Sequence, residues 1–181
     1  FVCRFSPTAI VVKKMIDDGK LGNIRHARAT LLRQRGIPGL GGWFTTKERS
    51  GGGCLIDIGV HLIDLLSHIT SASKPLRVFG NCSQTFSMSS YGYDEMWSTP
   101  QTDGVFDVED GVVASTTFEN GISNQIDVSW ATHLPESYIR DGITIEGDKG
   151  AVWFDLWSDS IAFGESIDGK PVESIVAVEV T

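Results

Sequence analysis

The chain has few residues of the kinds that mark disulfide-rich, membrane-spanning or nucleic-acid-binding proteins. Only three of its 181 residues are cysteines, an odd number without paired spacing, which favours a reducing compartment, so we expect a cytoplasmic protein. No uninterrupted run approaches the ~20 apolar residues of a membrane span, and no signal peptide opens the chain. The net charge of −8 argues against nucleic acid and anionic membrane surfaces as partners.

What remains is the composition of a globular protein. The 41% hydrophobic and 21% charged residues are ordinary values, and the length suffices for one domain with a sizeable core. The first residue is Phe1 rather than methionine, and the mostly apolar segment Phe1–Phe5 is interpreted as a strand. We therefore expect the chain to be a piece of a longer protein.

Periodicity and turn residues predict the elements on both sides of a central segment. A short helix is predicted over Ile10–Asp18, a strand over Asn23–Arg35 and a glycine-rich loop over Gly36–Arg49. The second half indicates a meander of antiparallel strands with turns at Asn120-Gly121 and Gly147–Gly150. Since only two helices are available to cover the sheet, one of its faces is predicted to stay open for a cleft or a partner.

A second loop, Ser87–Asp107, is polar and irregular with aromatic residues interleaved. Its length is unusual for a loop in a compact domain, and it is therefore predicted to be functional or mobile.

The central segment, Ser50–Ile69, is predicted to be a mostly buried helix. At about 100° per residue, leucine and isoleucine cover most of its circumference and leave one polar stripe, formed by Asp57, His61, Asp64 and His68. Burying such groups is costly unless each finds a partner. We therefore expect a cleft or a paired network over the stripe.

The start of this helix points to acid/base chemistry. The glycines Gly51–Gly53 allow a close approach of the backbone to a ligand, and the helix dipole favours an anion there. Asp57 and His61 are one turn apart and can hydrogen-bond to each other or flank one substrate. Histidine titrates near neutral pH and a carboxylate can fix its tautomer. A structural Asp–His pair beneath a flexible loop explains the same pattern equally well.

The motif Gly51-Gly52-Gly53-x-x-x-Asp57-x-Gly59-x-His61-x-x-Asp64 resembles the C-terminal-domain motif of the glucose–fructose oxidoreductase / inositol dehydrogenase / rhizopine catabolism (Gfo/Idh/MocA) family. Further stretches resemble the same family: Arg4–Pro7, Gly19–Ile24, Val108–Asp110, Phe118–Gly121, Ser129-Trp130 and Ile145–Gly150. The resemblance covers nearly the whole chain.

The resemblance implies an α+β domain with a large, open, mostly antiparallel sheet and helices on one face. In the family this domain binds substrate and often forms the oligomer contact, while an N-terminal Rossmann domain binds NAD or NADP. The chain has no G-x-G-x-x-G fingerprint and no Glu-Lys-Pro motif, so the Rossmann domain is expected to be absent from it. Residues 1–7 are then the end of the missing cofactor domain or the join, and residues 8–181 the substrate-binding and oligomerisation domain. Alone, the chain is expected to have no dehydrogenase activity.

The resemblance also implies roles in the oxidation of a sugar, inositol or related polyol. His61 is the candidate acid/base that takes the hydroxyl proton as hydride leaves for the nicotinamide, and Asp57 orients His61 and binds a substrate hydroxyl.

Other residues are weaker candidates, because a solvated surface or a structural role explains them too. The candidates for substrate binding are Arg33, Trp43, Asp64, His133 and Tyr138. The candidates for cofactor binding are Gly52, Gly53 and Lys47, the last through a cofactor phosphate.

Two other functions remain open from the sequence. A metal-dependent hydrolase could use the Asp57/His61 face, although no second cluster of histidine or cysteine exists to complete a site, and no metal is expected. A non-catalytic module could instead use its open sheet to form a homo-oligomer.

Overall fold

The computed structural model describes residues 1–86, 88, 99–101, 103–139 and 141–179, together with the backbone of residues 93–94. Helix α1 spans Pro7–Asp17, α2 spans Lys47–Ser50, and α3 combines a π turn at Leu55–Gly59 with an α-helix at Val60–Thr70. Short 3₁₀ turns lie at Val2–Phe5 and Glu136–Tyr138. The ten strands are β1 Ile24–Leu32, β2 Ile37–Pro38, β3 Pro75–Ser83, β4 Tyr93–Asp94, β5 Gly111–Phe118, β6 Ser123–Ser129, β7 Gly142–Gly147, β8 Gly150–Phe154, β9 Ser160–Ile167 and β10 Lys170–Ala177.

The N-terminal segment differs from its prediction. The interpretation of Phe1–Phe5 as a strand is wrong, because Val2–Phe5 forms a 3₁₀ turn. So short an apolar run does not separate strand from helix by periodicity. Helix α1 begins three residues before the predicted start at Ile10: Ser6 is the N-cap, its hydroxyl accepts the Ala9 N–H at 3.3 Å, and Pro7 occupies the first turn.

Eight strands form one open sheet in the order β10-β9-β8-β7-β1-β6-β5-β3. The predicted hairpins of the second half are present, but β1 lies between β7 and β6, parallel to β6 and antiparallel to β7. The sheet is therefore mostly antiparallel, as expected, with one parallel pair at its centre. The carboxyl ends of β1 and β6 consequently meet at the same edge of the sheet.

The core lies between one face of this sheet and the helices α1 and α3. Strand β6 shows the alternation that creates this face: Asn124, Ile126 and Val128 are buried and the residues between them are half-exposed. Trp130 is fully buried in this core, whereas Trp153 and Trp157 are 46% and 68% exposed.

Helical residues Lys47–Thr70 are long and apolar enough to cross a membrane by length and composition alone. The expectation that no stretch approaches a membrane span is wrong by that measure. In the structure Leu62, Leu65, Leu66 and Ile69 of this segment are buried against the sheet. A core helix of a globular domain meets the same criterion, so the finding is weak evidence for a membrane span.

The loop predicted over Gly36–Arg49 contains structure of its own. It includes β2, which pairs in parallel with β4, and it leads into α2. About half of the second predicted loop, residues 87–107, lies outside the described residues, and its predicted function or mobility stays a prediction.

Candidate functional site

The first turn of α3 is capped by a carboxylate from elsewhere in the chain. Glu109 Oε1 accepts the N–H groups of Gly53 at 2.9 Å and Leu55 at 3.1 Å. The Glu109 carbonyl accepts the Cys54 N–H at 3.0 Å. A Cβ at position 53 would lie 1.8 Å from that carbonyl oxygen, so only glycine fits there. The helix that carries the polar stripe is thus fixed at its start by the segment before β5.

The π turn brings Asp57 to the sheet. Asp57 is the middle residue of Leu55–Gly59, and its Oδ2 accepts the indole N–H of Trp130 at 2.8 Å. A π turn closes its hydrogen bond over one more residue than an α turn, so it alters the 100° phase on which the stripe was predicted. Trp130 follows β6 directly, which places Asp57 over the edge where β6 and β1 end.

His61 faces the N-terminal segment instead. Its partly buried ring meets the ring of Phe1 edge-on, with centroids 5.2 Å apart. Its Nδ1 atom is buried and has no hydrogen-bond partner among the described residues. A direct hydrogen bond between Asp57 and His61, one of the two arrangements the sequence allowed, is therefore not formed through this nitrogen. That the two residues flank one substrate stays a prediction.

Asp64, the third residue of the stripe, is held in an ion pair. Arg4 donates to its carboxylate from Nε, at 2.7 Å, and from a terminal guanidinium nitrogen. This arrangement with Arg4 lowers the pKa of the Asp64 carboxyl from its usual value. The pair ties the 3₁₀ turn at Val2–Phe5 to α3. The geometry supports a structural role for Asp64, and substrate binding by it stays a prediction.

Arg33 reaches the same end of the sheet as Asp57. It follows β1, and its backbone N–H donates to the Ser129 carbonyl at 3.1 Å. It lines a cleft of about 270 Å³ whose other polar residues include Asp141 and Asp155. Burial raises the pKa of the Asp141 carboxyl, although a hydrogen bond from the Leu32 N–H opposes that rise.

The other candidates for substrate binding lie apart from His61 in the contacts of the described residues. His133 is exposed and its ring tilts against Phe86 with centroids 5.1 Å apart. Tyr138 is 74% exposed in the 3₁₀ turn at Glu136–Tyr138, and Trp43 is 62% exposed. Their roles in substrate binding stay predictions.

The glycine-rich start of α3 does not fit a cofactor phosphate. The N–H groups of Gly53 and Leu55 already bind the Glu109 carboxylate, which places negative charge where the phosphate would lie. Lys47 is exposed and its backbone N–H donates to Asp107 Oδ1 at 2.7 Å. Cofactor contacts by Gly52, Gly53 and Lys47 therefore stay predictions without support from this geometry.

Nor does the stripe assemble a metal site. Within the described ranges, no three histidine, cysteine, aspartate or glutamate side chains are grouped to hold a metal ion. Asp57 and Asp64, two of the supposed ligands, are bound to Trp130 and Arg4. The described residues therefore do not provide the ligands that a metal-dependent hydrolase would need.

A large cavity lies away from this site. It occupies about 610 Å³ between α3 and strands β3, β5 and β6, and its lining is mostly apolar. None of the four stripe residues lines it. We therefore place the candidate site at Asp57 and His61 on chemical grounds rather than in this cavity.

Sequence reasoning missed three residues that hold the site together: Arg4, Glu109 and Trp130. All three belong to stretches that resemble the family, which was the available signal. Their contacts join residues 56 and 73 positions apart, and no local pattern encodes such pairs.

The open sheet with helices on one face defines an α+β domain, and the Gly–Asp–His helix packs against that sheet. The chain belongs to the GFO/IDH/MocA family: residues 10–153 match the model of its C-terminal domain.

Three relatives place it more closely. A putative UDP-kanosamine synthase oxidoreductase subunit from Amycolatopsis mediterranei is 32% identical over 86% of this chain. D-glucoside 3-dehydrogenase from Escherichia coli is 33% identical over 83% of it. The chain spans 42% of the length of each of these relatives. The structure of a levoglucosan dehydrogenase in complex with NADH and levoglucosan superposes with a TM-score of 0.77. That match covers 97% of this chain and 45% of the dehydrogenase, and at 22% identity it establishes the fold alone.

Proposed function

We propose that this chain is the substrate-binding half of an NAD-dependent dehydrogenase that oxidises a hydroxyl of a sugar or related polyol. The family membership supports this, as do relatives named as a D-glucoside 3-dehydrogenase and a levoglucosan dehydrogenase. Related structures contain NADH, which supports NAD as the cofactor. Because the capped start of α3 offers no phosphate site, the dinucleotide is held mainly by a domain outside this chain.

The main support for the proposal is the ring of His61, whose Nδ1 atom has no hydrogen-bond partner among the described residues. Of the four stripe residues, Asp57 and Asp64 are bound by protein partners, whereas Nδ1 of His61 is buried and has no partner in the part of the chain that the structure describes. A buried polar nitrogen without a partner costs free energy and is expected to have a functional reason. In the proposed enzyme, His61 uses its hydrogen-bonding capacity when substrate is present.

The chemistry assigned to the chain is proton transfer. Alcohol oxidation removes a hydride from the carbinol carbon and a proton from its oxygen; a bound nicotinamide supplies the hydride acceptor. His61 takes the hydroxyl proton as a general base, and Asp57 accepts a hydrogen bond from a substrate hydroxyl beside it. Arg33, which reaches the same edge of the sheet, is proposed to contact the substrate as well.

The experiment compares His61→Gln with His68→Gln in the complete protein that contains this chain. Glutamine retains polarity and approximate size but cannot accept and hold the proton. We expect His61→Gln to lower kcat by about 10²- to 10⁴-fold, the usual contribution of a general base. His68→Gln, two stripe positions further from Asp57 than His61, is expected to retain nearly full activity. NADH formation with a panel of sugars measures both, and equal turnover of the two variants would refute the role of His61.

The isolated chain provides a second test. Without the cofactor domain we expect no steady NADH formation from any sugar. Sustained turnover by the 181-residue chain alone would contradict the division into two halves.

The uncovered sheet face supports a second proposal, homo-oligomer formation. At its centre, on β1 and β6, the side chains are polar and exposed or half-exposed; for example, Arg28 Nε donates to Gln125 at 3.2 Å and His26 Nδ1 lies 2.9 Å from Ser123 Oγ. We propose that this face packs against a second copy of the protein in the cytoplasm. Sedimentation at micromolar concentration is expected to give a dimer or a larger species. A monomer at that concentration would refute this second proposal and leave the first intact.

A further inference from the structure

The hydrogen bond between Trp130 and Asp57 is fixed at both of its ends. Trp130 is fully buried, and its backbone N–H donates to the Asp110 carbonyl at 2.8 Å. The neighbouring residue, Glu109, caps the start of the π turn that carries Asp57. The adjacent residues Glu109 and Asp110 thereby fix the start of α3 and the backbone of Trp130 relative to each other.

The segment Val108–Asp110 is itself anchored. Asp110 Oδ2 accepts the N–H groups of Thr85 at 2.8 Å and Phe86 at 2.7 Å. Asp110 is 1% exposed, and its backbone N–H donates to the Ser83 carbonyl at 2.9 Å. A buried carboxylate with several donors restrains the backbone around it. The position of Asp57 is therefore set by the sheet and not only by its own helix.

The hydrogen bond from Trp130 also makes the two carboxylate oxygens of Asp57 different from each other. Oδ2 binds the indole, whereas Oδ1 forms no hydrogen bond within the described part of the chain. A carboxylate with one oxygen fixed can present its second oxygen in a single direction, which is what recognition of a hydroxyl requires. π turns inserted into α-helices occur often at functional sites, and this one has Asp57 at its centre.

We propose that Trp130 is a positioning residue: its indole N–H fixes Asp57 so that the free carboxylate oxygen meets a substrate hydroxyl beside His61. This inference rests on the proposed dehydrogenase function. Trp130 itself touches no reacting atom; it acts through Asp57.

The first experiment measures kinetics in the complete protein with Trp130→Phe, which keeps an aromatic ring but removes the donor. We expect kcat to fall by about 10- to 100-fold, as for misplacement of a reacting group by about 1 Å, while KM for NAD is unchanged. Trp153→Phe, at a half-exposed position, is the matched control and is expected to retain wild-type kcat.

A double-variant cycle separates positioning from a general loss of structure. If Trp130 acts through Asp57, then Trp130→Phe costs nothing further in a protein that already carries Asp57→Ala, which has no side-chain oxygen to position. If the two losses in kcat multiply, Trp130 has only a structural role and the inference is overturned.

A third measurement remains decisive even if the protein proves not to be a dehydrogenase. In the ¹⁵N NMR spectrum of the 181-residue chain, we expect the indole N–H signal of Trp130 to lie downfield and to move upfield in Asp57→Asn, because a neutral acceptor replaces a charged one. The signal of Trp157, which is 68% exposed, is the internal control. An indole signal of Trp130 that Asp57→Asn leaves unmoved overturns the inference, whatever the fate of the proposed function.

Discussion

Arg4 and Asp64 lie sixty residues apart and form a two-bond ion pair, with Nε to Oδ2 at 2.7 Å. The side chain of Asp64 is only 13% exposed and that of Arg4 39%. Through this pair, the turn that precedes α1 is attached to the helix that carries His61. Phe1, whose ring meets that of His61, belongs to the same short segment.

The ion pair predicts a specific acid dependence of stability. Arg4 holds the pKa of Asp64 below its usual value of 3.8, so the folded state binds the carboxylate's proton less readily than the unfolded state. The stabilisation is therefore complete above about pH 5 and is lost as the pH falls through the lowered pKa. We expect Asp64→Asn and Arg4→Gln each to lower the thermal unfolding midpoint at pH 6. Near pH 2 the variants and the wild-type chain are expected to converge, and a constant difference from pH 2 to 6 would contradict this.

Glu109 is predicted to stabilise the start of α3. Glu109→Ala leaves the N–H groups of Gly53 and Leu55 without their acceptor, and hydrogen bonds to a charged group contribute about 1.5–3 kcal/mol. We expect a loss of about that size in the free energy of unfolding, measured by urea denaturation. Glu109→Gln keeps an acceptor oxygen in place and is expected to lose clearly less. Equal losses in the two variants would mean that the carboxylate is not the cap.

Gly53 is predicted to tolerate no side chain. Gly53→Ala would place a Cβ 1.8 Å from the Glu109 carbonyl oxygen, so the helix start or the segment before β5 must move. Overpacking of this kind costs about 1–3 kcal/mol. The matched control is Gly164→Ala, because nothing lies within 4 Å of a Cβ there and the φ angle is not positive. We expect the control to be neutral or slightly stabilising, and urea unfolding of both variants measures the difference.

Asp141 is predicted to weaken the fold at neutral pH. Burial raises the pKa of its carboxyl, so the folded state disfavours the ionised form more than the unfolded state does. The cost appears as the pH rises above the usual value of 3.8 and is complete above the raised pKa. Asp141→Asn keeps an oxygen for the Leu32 N–H and removes the charge. We expect the variant to unfold at a higher temperature than the wild-type chain at pH 7 and at the same temperature near pH 3.

The local elements of this fold could be predicted because short-range patterns encode them. Ser6-Pro7 marks the start of α1, Asn120-Gly121 marks a hairpin, and the alternation along β6 assigns its buried face. The apolar face of α3 follows from helical periodicity in the same way. The family resemblance then supplied the candidate roles of Asp57 and His61, and it identified the fold class correctly.

The parts that could not be predicted depend on contacts between distant residues. Nothing in Ile24–Leu32 indicates that this strand pairs with β6 rather than with a neighbour in sequence. A stripe drawn at 100° per residue assumes a regular α-helix, so it could not predict the π turn at Leu55–Gly59. For the same reason it could not predict the contact of Asp57 with Trp130. The capping of α3 by Glu109 likewise joins residues that only the folded chain brings together.

The central place of β1 in the sheet bears on how the chain reaches its native state. His26 of β1 contacts Ser123 of β6, 97 positions later, and β7 follows later still. On the ribosome, the first strand therefore emerges long before either of its neighbours has been synthesised. Pairing at such separation is slow, and unpaired strands are prone to aggregate while they wait. Because the earliest strand lies in the middle of the sheet, we expect the chain to refold slowly from denaturant. We also expect it to need chaperones during synthesis.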